Sequence, residues 1–226
     1  MKKLVGVIVI LLVIFIGMYI YRSNINKKNV SAQEVQEIQE YISKIYMWQE
    51  ITENALPKFN NINEAPDLWI WEVVKKNLEN YELTYKEIQE KSIEIFGNRF
   101  EKKFPEKGSE YIHYNEELKK YVTTGIGLDT LDDSFYIKNI KQTENGYKVE
   151  IVEYLEDYEN AMNAESEEEI YDIYIKNLNE ELIETFKSNE TETKAIELVK
   201  KNVNKFTSKT VNLVKQEGKI FVESVE

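Results

Sequence analysis

The spacing of apolar residues changes twice along this chain of 226 residues. An uninterrupted apolar run occupies residues 4–21. Apolar positions then recur every three or four residues between 31 and 97, and from residue 135 apolar and polar positions alternate. Three- and four-residue spacing is typical of amphipathic helices, whereas alternation is typical of strands with one buried face. The pattern therefore predicts helices first and antiparallel strands afterwards, behind an apolar N-terminal segment.

The apolar run extends from Leu4 to Tyr21 without a charged residue. Eighteen residues in a helix rise about 27 Å, close to the roughly 30 Å hydrocarbon thickness of a bilayer. We predict a transmembrane helix over residues 4–21, with a short basic tail at 1–3 and a polar spacer at 22–30. Residues 31–226 are predicted to form a single α+β domain.

Cleavage after export is the alternative to a permanent anchor. A secretory signal has an apolar stretch of about 7–15 residues, followed soon by small residues. Here the run is longer, and the small-residue segment Val30-Ser31-Ala32 comes only after the polar spacer. We therefore expect an uncleaved anchor and a single-pass protein of the cell membrane. Basic residues nearly balance across the run; we predict an external C-terminal domain, with a cytoplasm-facing domain as the alternative.

The first helix of the domain is predicted to begin at Ser31. Ser31 and Glu34 have the spacing of a capping box, in which each side chain bonds a free backbone amide of the other residue. We expect the helix to continue to about Asn54. Its apolar face is formed by Val35, Ile38, Ile42 and Ile45.

Two further helices are predicted before residue 97. Pro66 suits the first turn of the second helix. Thr84 and Glu87 form another capping box, and Gly97 can end the helix that follows it. The apolar face of the second helix comprises Trp69, Ile70, Val73, Val74 and Leu78.

Three phenylalanines follow at intervals of four residues, namely Phe96, Phe100 and Phe104. An exposed aromatic docking ridge is one interpretation of this spacing. Phenylalanines at helical spacing more often pack into a core, so we predict a short helical turn held in the protein interior.

The alternating region predicts several strands. A strand from Phe135, a turn at residues 144–146 and a second strand form a hairpin. In the second strand, Tyr147, Val149 and Ile151 share one face. Another strand is predicted at residues 171–175, and a last hairpin turns at Glu217-Gly218. Residues 195–206 favour a short helix, with a strand as the alternative.

Helices followed by antiparallel strands predict an α+β fold. The order of helices, central hairpin and final hairpin resembles that of the NTF2-like (cystatin-like) proteins, over roughly residues 31–226. The resemblance implies about three helices packed on one curved antiparallel sheet, with a pocket between them. That superfamily includes enzymes as well as binding and scaffold proteins, so the resemblance implies a shape and leaves the activity open.

The charge and the cysteine content of the chain exclude several classes of function. The first thirty residues hold five basic and no acidic side chains, so the remainder has 24 basic and 41 acidic side chains and a formal charge of −17. Such a surface repels phosphate backbones, so we exclude nucleic acid as a partner. Cysteine is absent from the sequence, which excludes disulfides, thiolate catalysis and cysteine zinc sites.

His113 is the one histidine of the sequence and the first candidate for catalysis. It could act as a base if a carboxylate oriented it in a pocket. No G-x-S-x-G motif accompanies it, and no phosphate-binding glycine motif occurs. We therefore expect a solvated or structurally bonded histidine and predict no catalytic residue.

The acidic stretch from Glu150 to Asp172 holds ten carboxylates and no basic residue. Carboxylates suit calcium, but the spacing of an EF-hand loop is missing here and in Leu128 to Asp133. We predict a solvated face, no metal site and no cofactor.

Trp48, Trp69 and Trp71 could form a platform for a sugar or a peptide. Two residues apart on a helix, Trp69 and Trp71 cannot share a face. We predict core packing, with one of these two rings turned inward and the other exposed.

These observations favour a membrane-anchored, non-catalytic binding or scaffold module at the bacterial cell envelope. Its predicted contacts are the membrane, through Leu4-Tyr21, and an envelope protein partner. The alternative is a pocket enzyme of NTF2-like shape that uses His113 or a carboxylate as its base.

Overall fold

The computed structural model describes residues 30–47, 52, 54–78, 82–103, 112–123, 131–163, 169–190 and 193–226. This part of the chain has an α+β fold in which four α-helices lie against two antiparallel sheets. The helices are α1 (Ala32–Ile45), α2 (Asp67–Lys76), α3 (Tyr85–Phe96) and α4 (Lys194–Lys201). The strands are β1 (Glu82–Leu83), β2 (Ile112–Asn115), β3 (Lys120–Thr123), β4 (Leu131–Gln142), β5 (Gly146–Asp157), β6 (Asp172–Lys176), β7 (Leu182–Lys187), β8 (Thr207–Gln216) and β9 (Lys219–Val225).

The predicted transmembrane helix requires a correction. Residues 4–21 lie outside the described residues, and in the part that is described no helix is both long and apolar enough to cross a membrane. The longest described helix, α1, has 14 residues and would rise only about 21 Å of the roughly 30 Å needed. The described part of the chain therefore contradicts the predicted fold class with a transmembrane helix and the assignment as a single-pass membrane protein.

Both capping boxes form as predicted. The Ser31 hydroxyl accepts a hydrogen bond from the Glu34 amide at 3.2 Å, and the Glu34 carboxylate accepts one from the Ser31 amide at 2.9 Å. Thr84 and Glu87 repeat the arrangement at the start of α3. Each box satisfies amides that a helix start would otherwise leave without partners.

The first helix is shorter than predicted. It ends at Ile45, and Tyr46 already has an extended backbone. The Met47 amide donates to the Ala55 carbonyl at 2.9 Å, so the chain has reversed direction by residue 55. The predicted end near Asn54 is therefore wrong: the chain leaves the helix at Tyr46, whose ring packs against Phe135 of β4, a long-range contact that the local pattern does not contain.

The six-stranded sheet is organised around β5. One edge of β5 pairs with β4 along its length. Its other edge pairs with β8 over residues 146–153 and with β6 over residues 155–157. Beyond these neighbours lie β9 and β7, which gives the order β7-β6-β5-β8-β9 with β4 on the opposite side of β5.

Two apolar cores lie on opposite faces of this sheet, because successive side chains of β5 point to opposite sides. Tyr147, Val149 and Ile151 face the first core, which α1, α2 and α3 also form. Val152 and Tyr154 face the second core, which is completed by β6, β7 and α4. One curved sheet covered by helices on one side, as the NTF2-like resemblance implies, is thus replaced by a sheet with a core on each face and a separate three-stranded sheet, β1-β3-β2.

The two tryptophans of α2 are both buried, with relative exposures of 0% for Trp69 and 1% for Trp71. Trp69 contacts the Phe96 ring at 5.7 Å, whereas Trp71 contacts Tyr121 of the three-stranded sheet at 5.3 Å. The helix is covered on two sides, so the prediction that one of these rings is exposed is wrong. The prediction of core packing is confirmed for both; Trp48 lies outside the described residues.

The phenylalanine series packs inward, as predicted, where it is described. The Phe96 and Phe100 rings are buried and their centres lie 5.2 Å apart. Gly97, with φ of 85°, ends α3 between them, so the helix does not continue through the series. Phe104 lies outside the described residues.

Candidate functional site

A groove of ≈ 910 Å³ runs along β4 and is lined by eight consecutive residues of that strand, 135–142. Since successive side chains of a strand point to opposite faces, a groove that touches all eight must follow the edge of the strand. The other edge of β4 pairs with β5. We call this feature the edge groove.

Two helices flank the edge groove, one on each face of the sheet. One wall is formed by Val30, just before α1, and by Val35 and Gln39 of α1. Ile196 and Lys200 of α4 form the other. A cleft between helices, with a strand edge as its floor, has the concave form typical of ligand sites.

The wall next to α1 is mainly apolar. Ile137 lies opposite Ile151 of β5, and Ile140 lies opposite Val149. Directly opposite residues share a face, and both β5 residues belong to the first core. Ile137 and Ile140 therefore face α1, where Val35 is 39% exposed and leaves apolar surface open to the groove.

The wall next to α4 carries positive charge. Lys138 is the extra residue of a β-bulge, and its ammonium lies 2.6 Å from the Glu150 carboxylate, which raises the pKa of Lys138. The Lys200 ammonium lies 5.7 Å from the centre of the Tyr136 ring, within range of a cation–π contact. Lys141 lies opposite Lys148 of β5, on the same face.

The lysines give the edge groove a local charge opposite to that of the chain. Among its described lining residues, three are lysines and none is acidic, although the chain has a formal charge of −12. Lys141 and Lys200 form no ion pair with a described residue. Within the described residues no carboxylate neutralises either charge, and the Lys200 ammonium lies over the Tyr136 ring.

The chemistry of the lining favours binding over catalysis. Apart from the lysines, its described polar groups are three side-chain amides and the Tyr136 hydroxyl. Burial raises the pKa of Tyr136 above the ordinary range of a phenol, so this group keeps its proton near neutral pH. General acid–base catalysis needs a group that exchanges its proton near the working pH, and the described lining provides none.

His113 belongs to a different sheet from the one that forms the edge groove. It is an exposed residue of β2, opposite Val122 of β3, and so belongs to the three-stranded sheet. The structure does not bring it to the edge groove, whose floor belongs to the six-stranded sheet.

A buried ion pair, missed by the sequence reasoning, lies on the first-core face of the sheet. The Lys209 ammonium lies 3.0 Å and 2.9 Å from the two Glu153 carboxylate oxygens and donates to the Leu56 carbonyl at 2.7 Å. The Tyr46 hydroxyl donates to Glu153 at 3.3 Å. Burial is the main cause that raises the pKa values of Glu153 and Tyr46.

This pair is enclosed, with Glu153 0% and Lys209 6% exposed, so a ligand does not reach it from solvent. The sequence contains one signal for a buried charge at this place. Glu153 continues the alternation of Tyr147, Val149 and Ile151 and so occupies a position on the core face. We interpret the pair as structural.

The acidic stretch is only partly a solvated face. Asp157 is also buried, and Lys176 of β6 lies 2.6 Å from its carboxylate. Within the described residues, no group of three or more potential ligands could hold a metal ion. Residues 164–168, at the centre of the stretch, and 128–130, in the second acidic segment, lie outside the described residues.

In comparisons with known proteins, no family model, no curated protein and no solved structure matches the chain. The NTF2-like resemblance thus stays a prediction.

Proposed function

We propose that this chain is a non-catalytic binding module and that the edge groove is its ligand-binding surface. The observation that carries the proposal is a strand edge between two helices, lined by apolar, amide and ammonium groups. Backbone groups at such an edge can pair with another chain, and the flanking walls can select its side chains.

The competing enzyme proposal loses its main support. It required His113 or a carboxylate to converge with other polar groups in a pocket. His113 is exposed on the other sheet, and no carboxylate is among the described residues that line the edge groove.

Site-specific photo-crosslinking tests the proposal. A photoreactive amino acid is placed at Asn139, which is exposed in the edge groove, and at Asn204, an exposed residue outside it. We expect a partner to crosslink at position 139 and not at position 204. The partner is then purified, its affinity is measured by calorimetry, and its mass is compared before and after incubation with the protein.

Two results would contradict the proposal. Equal crosslinking from positions 139 and 204 would remove the edge groove as the binding surface. A covalent change in the purified partner, dependent on the protein, would show that the chain is a catalyst.

A further inference from the structure

We propose that the edge groove binds an extended acidic segment of a partner protein, which adds a strand to β4. This inference rests on the proposed binding function and names the chemistry of the ligand. The segment would have apolar side chains toward α1, alternating with Asp or Glu side chains toward α4.

The length of the edge sets the length of the segment. Eight residues of β4 line the groove, and at about 3.4 Å per residue they span about 27 Å. An added strand would lie about 4.8 Å from β4. Its backbone would provide affinity, and its alternate side chains would provide specificity.

The two walls require different side chains. Ile137 and Ile140 face α1 beside Val35, so every second residue of the added strand would meet apolar surface. The residues between them would point toward Lys141 and Lys200. Alternation of Val or Ile with Glu or Asp satisfies both walls.

A second copy of this chain is a poorer occupant. Antiparallel pairing of two β4 edges would bring Lys138 and Lys141 of one copy next to those of the other. Like charges across a strand pair are destabilising. Lysines and bulges at an edge also discourage indiscriminate pairing, and an acidic strand converts these same lysines into binding partners.

The ligand probe is an acetylated and amidated octapeptide in which Val alternates with Glu. Its affinity for the full chain is measured by fluorescence anisotropy, and backbone amide exchange is followed over residues 135–142. We expect binding together with slower exchange along β4. A peptide with Lys in place of Glu tests the charge, and a peptide N-methylated on alternate residues, along the edge that would face β4, tests backbone pairing.

Variants of the protein test the lysines. Because each exposed ion pair contributes little, we combine Lys141→Glu with Lys200→Glu and expect about tenfold weaker binding of the Val/Glu peptide. Lys219 is an exposed lysine on β9 outside the described groove lining. The control variant Lys219→Glu reverses one charge there and should leave the affinity nearly unchanged. Circular dichroism establishes that both variants are folded.

The outcomes separate this inference from the broader proposal. Equal affinity of the N-methylated peptide, or of the Lys peptide, would overturn acidic strand addition even if crosslinking at position 139 still succeeds. Failure of crosslinking at position 139 as well would overturn the binding module itself. A dimer in sedimentation analysis whose formation slows amide exchange over residues 135–142 would overturn the acidic partner in favour of a second copy.

Discussion

At the residue scale, the buried pair of Glu153 and Lys209 shows how a charged residue can occupy a core-facing position. Removing two charges from water costs several kcal/mol, and mutual attraction with added hydrogen bonds offsets that cost only when the geometry is good. Tyr46 and the Leu56 carbonyl supply those added bonds. Loss of either charged partner would leave the other buried without compensation.

We therefore expect Lys209→Met to lower the free energy of unfolding by about 3–5 kcal/mol, because it leaves the Glu153 carboxylate buried without its cation. Adding Glu153→Gln should restore most of this loss, because the double variant buries no charge. Urea unfolding at neutral pH measures both. If the double variant is no more stable than Lys209→Met, the pair is not what stabilises this region.

Glu34 connects α1 to the sheet through charge. The Tyr147 hydroxyl donates to its carboxylate, and the Ser31 amide and the Lys215 ammonium also bond it. These contacts lower the pKa of Glu34 from 4.5 to about 2, and the hydrogen bond from Tyr147 has the largest effect. The folded state therefore favours the charged form. The resulting stability is present above about pH 4.5 and is lost as the pH falls toward 2.

We expect Tyr147→Phe to raise the pKa of Glu34 toward its ordinary value and to destabilise the fold at neutral pH. The gap in stability between this variant and the native chain should narrow as the pH falls below about 4, where the unfolded state is protonated. Carboxyl titration by NMR and thermal unfolding at several pH values measure this. Tyr174→Phe, on β6 opposite Thr185 of β7, should leave the pKa of Glu34 unchanged.

At the scale of the elements, local signals predicted several boundaries, whereas the three-stranded sheet, the end of α1 and β7 were not predicted. The capping boxes, the hairpin turn with positive φ at Glu217 and Gly218, and the alternation in β5 involve residues close in sequence. The early end of α1 coincides with a long-range contact between the Tyr46 and Phe135 rings. β7 was not predicted, because its sequence LIETFK has only one buried side chain, Phe186.

Gly97 joins a local signal to a tertiary contact. Its φ is +85°, and an added Cβ would lie 2.9 Å from Cγ of Phe221. We expect Gly97→Ala to cost about 2–4 kcal/mol, from backbone strain and overpacking together. Gly218→Ala has a similar φ of +82° but nothing within 4 Å of the new Cβ, so it should cost only about 1–2 kcal/mol. Equal losses in urea unfolding would contradict a role for the Phe221 contact.

At the scale of the whole molecule, β5 makes the two cores interdependent. Its odd-numbered residues from Tyr147 to Ile151 pack in the first core, and Val152 and Tyr154 pack in the second. Loss of β5 from the sheet would remove buried side chains from both cores. The described chain should therefore unfold in one cooperative transition.

A cavity in the second core should consequently be detected in the first. Val199→Ala removes fully buried methyl groups from the second core and should cost about 2 kcal/mol. Tryptophan fluorescence, to which Trp69 and Trp71 of the first core contribute, should show a lowered midpoint of unfolding. Amide exchange in β6 should give the same lowered midpoint. Val35→Ala, at a partly exposed site, should change stability by less than about 0.5 kcal/mol. Separate transitions from the two probes would contradict the coupling.

The sequence by itself determined where several helices and strands begin and which of their faces are apolar, because caps, turns and periodicity depend on residues a few positions apart. It did not determine which strand has an edge beside two helices. The edge groove joins residues from 30–39, 135–142 and 196–200, and the Glu153–Lys209 pair joins residues 56 positions apart. An apolar pattern in the sequence indicates that a face is buried, but only tertiary packing determines which elements bury it.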